Sequence, residues 1–269
     1  MMTIRPAAVA GMFYPANPAE LRAEVDGLLA DAAVREDSEA PKALVVPHAG
    51  YVYSGQVAAS AYAMLGALRG KVRRIVLFGP AHRAYVSGIA LPAADCFATP
   101  LGQIPIDKEA VARVVGLPGV SENAGAHAFE HSLEVQLPFL QCVLGSFKLV
   151  PLAVGDAEPA DVARVIEALA DDPGTLIVIS SDLSHYHPYG MAARIDRATA
   201  ERILTLSADI NHEQACGATP INGALMWARR HGMRIELIDL RNSGDTAGDK
   251  NRVVGYASFA IFEKEPDVH

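Results

Sequence analysis

Three short apolar segments of this sequence each run into a polar loop that carries a histidine. The segments are Ala43–Val46, Arg74–Phe78 and Leu176–Ile179, and the histidines that follow them are His48, His82 and His185. The length and β-branched composition of the segments predict buried strands. In an open α/β sheet, ligands bind where the carboxyl ends of the strands and their loops converge. The chain is therefore expected to bring these three histidines together at one edge of a sheet.

The order of the predicted elements indicates the fold class. An alanine-rich helical segment at Gln56–Leu68 separates the first two strands, so they form a βαβ unit with a parallel pair and a right-handed crossover. Helical and strand patterns alternate to the end, with no internal repeat, low-complexity tract or linker. We predict one α/β domain over residues 1–269, with a mostly parallel central sheet flanked by helices.

Local patterns place the remaining elements. Further strands are predicted at Ser87–Leu91, Phe147–Val154, Arg234–Leu240 and Val253–Phe262. Helices are predicted from the cap Asn17 to about Val34, from the cap Asp107 through Val115, at Pro159–Leu169, at Met191–Leu206, and from the cap Thr219 to about Gly232. The segment Glu130–Pro138 has a helical pattern with a proline inside it.

Composition narrows the possible partners and location. A net charge of −8 over 269 residues argues against binding to nucleic acid or to an anionic membrane surface. No apolar run reaches the roughly 18 residues of a membrane helix, and the amino terminus lacks the apolar core of a signal peptide. Three widely spaced cysteines do not suggest a disulfide framework, so a free or metal-bound thiol is expected. These features predict a cytoplasmic protein.

The predicted sheet edge has the residue types of a metal site. A single histidine beside a strand is most often structural, but three at equivalent strand ends favour a shared polar site. Two neutral imidazoles and one anionic group form the smallest ligand set that leaves coordination positions open for a substrate. The candidates for the anionic group are Asp182, Glu130, Glu134, Asp156 and Cys216.

Some of these residues have two readings. Cys216 lies just before a capped helix, whose dipole would favour a thiolate, yet it could equally be a small buried residue. His185 and His187 share a face if the segment is extended, and only one of them need reach the site. Glu130 and Glu134 lie one helical turn apart, either as a solvated pair or as groups that orient a ligand. Glycine-rich nucleotide motifs and a GxSxG elbow are absent from the sequence.

Several longer blocks occur in a specific order along the chain. They are GMFYP at 11–15, PHAGYVYSG at 47–55, FGPAHR at 78–83, TPLG at 99–102, EHSLEVQLPFL at 130–140, SSDLSH at 180–185 and CGATPI at 216–221. With these blocks the sequence resembles the Memo family, called AmmeMemoRadiSam system protein B in prokaryotes. The resemblance covers most of the chain.

The resemblance implies a single α/β domain similar to class III extradiol dioxygenases, which use non-haem iron(II). It assigns metal binding to His48, His82 and Cys216. Asp182 and His185 match residues that line the same pocket, His131 matches a neighbouring pocket position, and a histidine like His185 is the acid–base group of the ring-cleaving relatives. Those dioxygenases complete their ligand set with a carboxylate, whereas the matching residue here is Cys216. A thiolate is a softer ligand that can itself be oxidised, so ring cleavage is not carried over.

These arguments lead to one hypothesis and two rivals. We expect a redox enzyme with iron(II) first and copper second on His48, His82 and Cys216, with His185, Asp182 and His131 as its catalytic residues, acting on an unknown small substrate. The first rival is a non-catalytic module that binds a peptide or partner in the same cleft, because the animal Memo protein is known as a signalling adaptor. The second is a zinc hydrolase.

Overall fold

Strands and helices alternate along the chain, and the structure, a computed structural model, describes residues 2–32 and 39–264. Its strands are β1 (Ile4–Arg5), β2 (Ala43–Val46), β3 (Arg74–Pro80), β4 (Ile89–Leu91), β5 (Cys96–Thr99), β6 (Gly102–Pro105), β7 (Val120–Glu122), β8 (Lys148–Val154), β9 (Thr175–Ser180), β10 (His185–His187), β11 (Arg234–Asn242) and β12 (Val253–Phe262). Its α-helices are α1 (Pro18–Ala30), α2 (Tyr51–Tyr62), α3 (Lys108–Val114), α4 (Ala124–Ala128), α5 (His131–Glu134), α6 (Leu137–Leu144), α7 (Pro159–Leu169), α8 (Tyr189–Leu204) and α9 (Ala218–Arg230). Short 3₁₀ helices lie at Ala63–Leu68 and Ser243–Asp245.

The large sheet has the order β10-β12-β2-β9-β3-β8-β4-β7, and β11 also pairs with β12. Its four central strands, β2, β9, β3 and β8, are parallel to one another. Antiparallel pairings of β12 with β2 and of β4 with β8 make the sheet mixed towards its edges. A second, three-stranded sheet has the order β1-β5-β6. The predicted parallel centre is confirmed, and the carboxyl ends of β2, β9 and β3 lie side by side.

Side chains of alternate residues in the central strands pack into two apolar layers, one on each face of the sheet. Leu44 and Val46 of β2 point into the layer that contains α1, α2 and α6, whereas Ala43 and Val45 point into the layer that contains α7 and α9. This alternation is the period of two that a pleated strand imposes. Because both faces are covered, the central strands are apolar over most of their length, as parallel strands in α/β proteins are. The prediction of a single α/β domain with helices on both faces is confirmed.

Most predicted elements are present, several bounds shift by one or two residues, and three larger differences have local reasons. The helix after His48 begins at Tyr51 rather than Gln56, so the polar motif itself forms its first turn. The pattern over 130–138 is two short helices, because Pro138 falls in the first turn of α6, where its missing N–H costs nothing. Thr219 was predicted as an N-cap, but Gly217 occupies that position and Thr219 lies inside α9. The first helix ends at Ala30, with Asp31 as its C-cap, so the predicted extension to about Val34 is wrong, and Val34 itself lies outside the described residues.

Within the described part of the chain, no helix combines the length and the apolar character required to cross a bilayer.

Candidate metal centre

Three imidazoles, those of His48, His82 and His131, meet at the carboxyl edge of the sheet. Each ring offers one nitrogen such that the three atoms lie within 4.8 Å of one another. The His48 ring centroid is 5.2 Å from that of His82 and 5.5 Å from that of His131, and the last two rings stack at 4.9 Å. The predicted pair His48 and His82 is therefore joined by His131, the first residue of α5, which is predicted as a catalytic residue at a neighbouring pocket position and not as a metal ligand.

His48 follows β2 and is held on both sides by the loop after β9. Its backbone N–H donates to Oδ1 of Asp182 at 2.7 Å, and its ring Nδ1 lies 2.9 Å from the hydroxyl of Ser180. The ring is almost completely buried. Burial, followed by the proximity of His82, lowers the pKa of His48 to about 3. The imidazole is therefore neutral at physiological pH, as a metal ligand must be.

His82 is oriented by Glu130, a buried carboxylate just before α5. One carboxylate oxygen accepts the backbone N–H of His82 at 2.5 Å, and the other lies 3.2 Å from the ring Nδ1. Burial alone would raise the pKa of Glu130, but hydrogen bonds from His82 and Ser132 lower it to about 2. A carboxylate only accepts, so Nδ1 of His82 donates its proton to Glu130, and Nε2 lies on the other side of the ring.

A close approach between β3 and α5 brings His131 into the cluster. A Cβ atom at Gly79 would lie 2.6 Å from the hydroxyl of Ser132, so only glycine allows the end of β3 to pack this tightly against α5. Ser132 also donates to the carbonyl of Pro80 at 2.8 Å. Burial and the neighbouring His48 lower the pKa of His131 to about 4. Nδ1 of this ring is buried and forms no hydrogen bond among the described residues, and it lies 3.4 Å from Oε1 of Glu130.

Cys216 is brought to His48 from a distant part of the chain. Its Sγ lies 3.4 Å from Nε2 of His48, and its backbone N–H donates to the carbonyl of Asp182 at 3.2 Å. Burial, and then Asp182, raise the pKa of Cys216 to about 12. The expectation that the dipole of the following helix would favour a thiolate is therefore wrong for the metal-free protein, because desolvation outweighs the helix end.

Asp182 and His185 lie beside the cluster in the loop after β9 and at the start of β10. Burial raises the pKa of Asp182, while the neighbouring His185 acts in the opposite direction. His185 also contributes to the lowered pKa of His48, so its ring is near that imidazole as well. His185 is partly exposed, in contrast to the buried Asp182. The predicted catalytic residues Asp182, His185 and His131 thus surround the same centre as His48, His82 and Cys216.

The backbone at Tyr186 separates His185 from His187. Tyr186 has a φ of +62°, a conformation that L-residues rarely adopt, and the pairing of β10 with β12 shifts register at this point. The extended segment in which the two histidines share a face is therefore not formed. His185 lies with Asp182, whereas the charge of His187 acts on Asp196 in α8.

The remaining candidates for an anionic ligand play other roles. Glu134 is completely buried, faces away from the histidines, and forms an ion pair with Arg5. It also accepts the backbone N–H groups of Ala8 and Val9. The solvated-pair reading of Glu130 and Glu134 is wrong, since both are buried. Asp156 is exposed.

Sequence reasoning did not anticipate Ser180 and Gln136 as contacts of this centre. Gln136 lies between the two short helices and donates to the Ser180 hydroxyl at 2.7 Å. Both residues belong to the recognised blocks, but neither is a common metal ligand or acid–base group, so residue type alone carried no signal. Their importance follows only from the contacts between β9 and the α5–α6 segment.

Comparison with known proteins finds relatives that cover nearly the whole chain. A family model described as Memo-like protein matches residues 5–260. A MEMO1 family protein of Methanopyrus kandleri is 37% identical over 279 residues, covering 96% of this chain and 98% of the relative. A MEMO1 family protein of Methanosarcina barkeri is 38% identical over 272 residues, covering 96% and 100%. The crystal structure of uncharacterized protein JW3007 from Escherichia coli K12 is similar in fold, with a TM-score of 0.56 and 17% identity over 82% of this chain and 98% of that one.

Proposed function

Because this chain belongs to the Memo-like protein family, we propose that it is a metal-dependent redox enzyme that acts on a small substrate. The observation that carries the proposal is the meeting of three imidazoles at the carboxyl edge of a parallel sheet. Two of the rings, His48 and His82, have hydrogen-bond partners on Nδ1, which leaves Nε2 available. Imidazoles held in this way by outer partners are typical of metal sites.

The ligand set has two fixed members and two candidates for the third. His48 and His82 belong to it on either reading. Cys216, close to His48, completes the set implied by the resemblance, whereas His131 completes the cluster of imidazoles and offers a buried nitrogen without a hydrogen-bond partner. We propose Cys216 as the third ligand, with His131 beside the metal as a pocket residue. The residues present therefore fit a divalent metal.

The metal itself is proposed as iron(II) first, copper second and zinc third. Iron(II) held by three protein ligands, with positions left open, supplies one-electron and O₂ chemistry when it is bound. Copper is favoured by the thiolate. Zinc has no redox chemistry, and its presence would favour the zinc hydrolase.

His185 is proposed as the general acid or base, oriented by Asp182. Its partial exposure beside a buried cluster places it where a substrate can enter, and an imidazole suits proton transfer near neutral pH. One oxygen of Asp182 accepts the His48 N–H, so this carboxylate links the loop of a ligand to the acid–base residue. His131 is proposed as a third residue that contacts the substrate.

The experiment that tests the proposal is metal analysis of protein purified without oxygen. Wild type is compared with His48→Ala, His82→Ala, Cys216→Ser and His131→Ala, and with His231→Ala, a histidine at the end of α9 that pairs with Glu167 outside the site. Near-stoichiometric iron or copper that is lost in the first three variants and kept in His231→Ala supports the proposal. A wild type that holds no metal even after reconstitution overturns it.

A non-catalytic binding module is the second candidate, and one observation favours it. Two aromatic residues that are next in sequence to residues of the centre have exposed side chains: Phe129, which precedes Glu130, is 73% exposed and Tyr186, which follows His185, is 62% exposed. Exposed apolar side chains grouped around a cleft mark interaction surfaces. A peptide or partner could therefore occupy the same cleft. Oxygen consumption by the metal-loaded protein separates the two candidates, because a binding module consumes none.

The proposed location remains the cytoplasm. All three cysteines, Cys96, Cys142 and Cys216, are free in the structure, and free thiols persist in reducing compartments. The expectation that the protein does not bind nucleic acid rests on its net negative charge.

A further inference from the structure

The hydroxyl of Ser180, at the end of β9, has three polar neighbours in the fully buried core beneath the histidines. It lies 2.6 Å from the carbonyl of Ser132, 2.7 Å from Nε2 of Gln136 and 2.9 Å from Nδ1 of His48. Ser180, Ser132 and Gln136 are each completely inaccessible to solvent. With water excluded, these four groups must satisfy one another, so the direction of each hydrogen bond can be worked out.

Two of the three directions are fixed by chemistry. The carbonyl of Ser132 can only accept, so the single hydroxyl hydrogen of Ser180 points to it. The side-chain amide of Gln136 is oriented by its second contact, because its nitrogen donates to the carbonyl of Pro47 at 2.9 Å. Its oxygen accepts from the hydroxyl of Tyr62 at 2.8 Å. Turning the amide over would place two oxygens against each other at Pro47, so Gln136 donates to Ser180.

The third direction follows by exclusion. Since the hydrogen of Ser180 is engaged by Ser132, the hydroxyl can only accept from His48. We infer that Gln136 and Ser180 are positioning residues that hold His48 in the tautomer with the proton on Nδ1 and the lone pair on Nε2. Nε2 is the atom that lies 3.4 Å from Sγ of Cys216, on the side of the histidine cluster.

The expected effect on metal affinity rests on the proposed function, whereas the assignment of the His48 tautomer is independent of it. A metal binds a ring nitrogen through its lone pair, and outer partners that fix the tautomer raise metal affinity, typically by 10–100-fold. Nδ1 of His82 also faces a hydrogen-bond partner, but a different one, the carboxylate of Glu130. In both proposed histidine ligands, Nδ1 faces the hydrogen-bond partner. For His48 the partner is the neutral hydroxyl of Ser180, and for His82 it is the charged carboxylate of Glu130.

The tautomer can be read in the metal-free protein by long-range ¹H–¹⁵N correlation of the histidine rings. The His48 signals are identified by their loss in His48→Gln. We expect wild type to show a protonated Nδ1 and an unprotonated Nε2. Ser180→Ala removes the hydroxyl partner of Nδ1 but keeps the backbone of residue 180, which also bonds the His48 ring, so the tautomer with the proton on Nε2 is expected to become populated. In Gln136→Met the hydroxyl of Ser180 can turn towards His48, so a mixture of tautomers is expected.

A matched control is Ser258→Ala, in β12. Ser258 is as inaccessible as Ser180, but its hydroxyl has no hydrogen-bond partner among the described residues. The control should leave the His48 tautomer and the dissociation constant for added Zn²⁺ unchanged, while Ser180→Ala should weaken Zn²⁺ binding by about 10–100-fold. Far-UV circular dichroism of each variant confirms that it is folded.

A proton on Nε2 of His48 in wild type, or an unchanged tautomer in both Ser180→Ala and Gln136→Met, overturns the inference. The proposed function fails separately, because a protein that binds no metal still reports its tautomer. If Zn²⁺ binding weakens equally in Ser258→Ala, the loss is one of core packing and the link from tautomer to affinity is overturned.

Discussion

Sγ of Cys216 lies 3.4 Å from Nε2 of His48, the ring nitrogen left free when Nδ1 bonds Ser180. In the metal-free protein this contact is a thiol facing a lone pair, since burial and Asp182 raise the pKa of Cys216 to about 12. Cys216 would hold a metal as a thiolate and would therefore have to lose the thiol proton, so metal binding and proton release would be linked at this residue.

The identity of the third ligand gives the first prediction. If Cys216 is a ligand, Co²⁺ added to the metal-free protein should produce an intense sulfur-to-metal charge-transfer absorption that Cys216→Ser abolishes and His131→Ala retains. The reason is that only a thiolate, and no imidazole, supplies this transition. Cys142→Ser controls for thiols elsewhere in the chain. A spectrum that is the same in Cys216→Ser and wild type would assign the third position to His131.

Glu130→Gln tests the carboxylate that orients His82. Glu130 accepts both the backbone N–H and the ring Nδ1–H of His82, whereas glutamine has one accepting oxygen, so one of the two bonds is lost. We expect metal affinity to fall by about 10–100-fold and the free energy of unfolding to fall by about 1–3 kcal/mol. Competition with a chelator and urea titration measure the two effects. Unchanged affinity would show that the orientation of His82 does not depend on Glu130.

A buried ion pair ties the amino-terminal segment to α5 and gives the third prediction. Glu134 is bonded to Arg5, to the hydroxyl of Tyr14 at 2.5 Å, and to two backbone N–H groups. Arg5→Met leaves the carboxylate buried without its cation, and this should lower the free energy of unfolding by about 3–5 kcal/mol. The exposed pair of Arg164 and Asp161 is the control, since Arg164→Met should cost about 1 kcal/mol or less.

Asp196 in α8 predicts a pH dependence of stability. Its carboxylate is buried, accepts the backbone N–H of Ser184 at 3.0 Å, and has one oxygen without a hydrogen-bond partner. Burial raises its pKa from 3.8 to about 6, a displacement worth about 3 kcal/mol. The folded state therefore holds this proton more tightly than the unfolded state. The resulting stabilisation is complete below about pH 4 and is lost as the pH rises through about 6.

Asp196→Asn removes that titration. The stability of the variant relative to wild type should rise by about 3 kcal/mol between about pH 4 and pH 7, as measured by urea unfolding at each pH. Asp171→Asn, at an exposed aspartate, is the control for the substitution itself. A difference between Asp196→Asn and wild type that does not change with pH would show that Asp196 does not titrate in this range.

The sequence was sufficient to predict the strands that carry His48 and His82, because an apolar run of strand length followed by a polar loop is a local pattern. The sequence also placed Cys216 near the start of a helix. It did not predict that the pKa of the thiol is raised, because this shift depends on burial in the assembled core and on the proximity of Asp182. The left-handed backbone at Tyr186 was missed for a similar reason. A tyrosine carries no turn signal, and only the pairing of β10 with β12 imposes that conformation.

The small sheet β1-β5-β6 shows a second limit of local patterns. Its strands have two to four residues, too few for an alternation of apolar and polar side chains to be recognised. In addition, β1 pairs with β5, which lies more than 90 residues away in the sequence. The same applies to the contact of Ser180 with Gln136, which joins separate elements. Long-range contacts between short segments are set by the assembled core and not by the residues adjacent in sequence.

A close approach between α8 and β12 gives the last prediction. A Cβ atom at Gly255 would lie 2.0 Å from Oδ2 of Asp196, so Gly255→Ala forces the helix and the strand apart and should lower the free energy of unfolding by about 1–3 kcal/mol or more. Gly27→Ala in α1, where a Cβ meets nothing within 4 Å, should instead raise it by about 0.5–1 kcal/mol. If the clash is with Asp196 itself, Gly255→Ala should cost clearly less in an Asp196→Ala background, since that substitution removes the clashing atoms. Additive effects in this double-mutant cycle would place the cost of the added methyl group elsewhere.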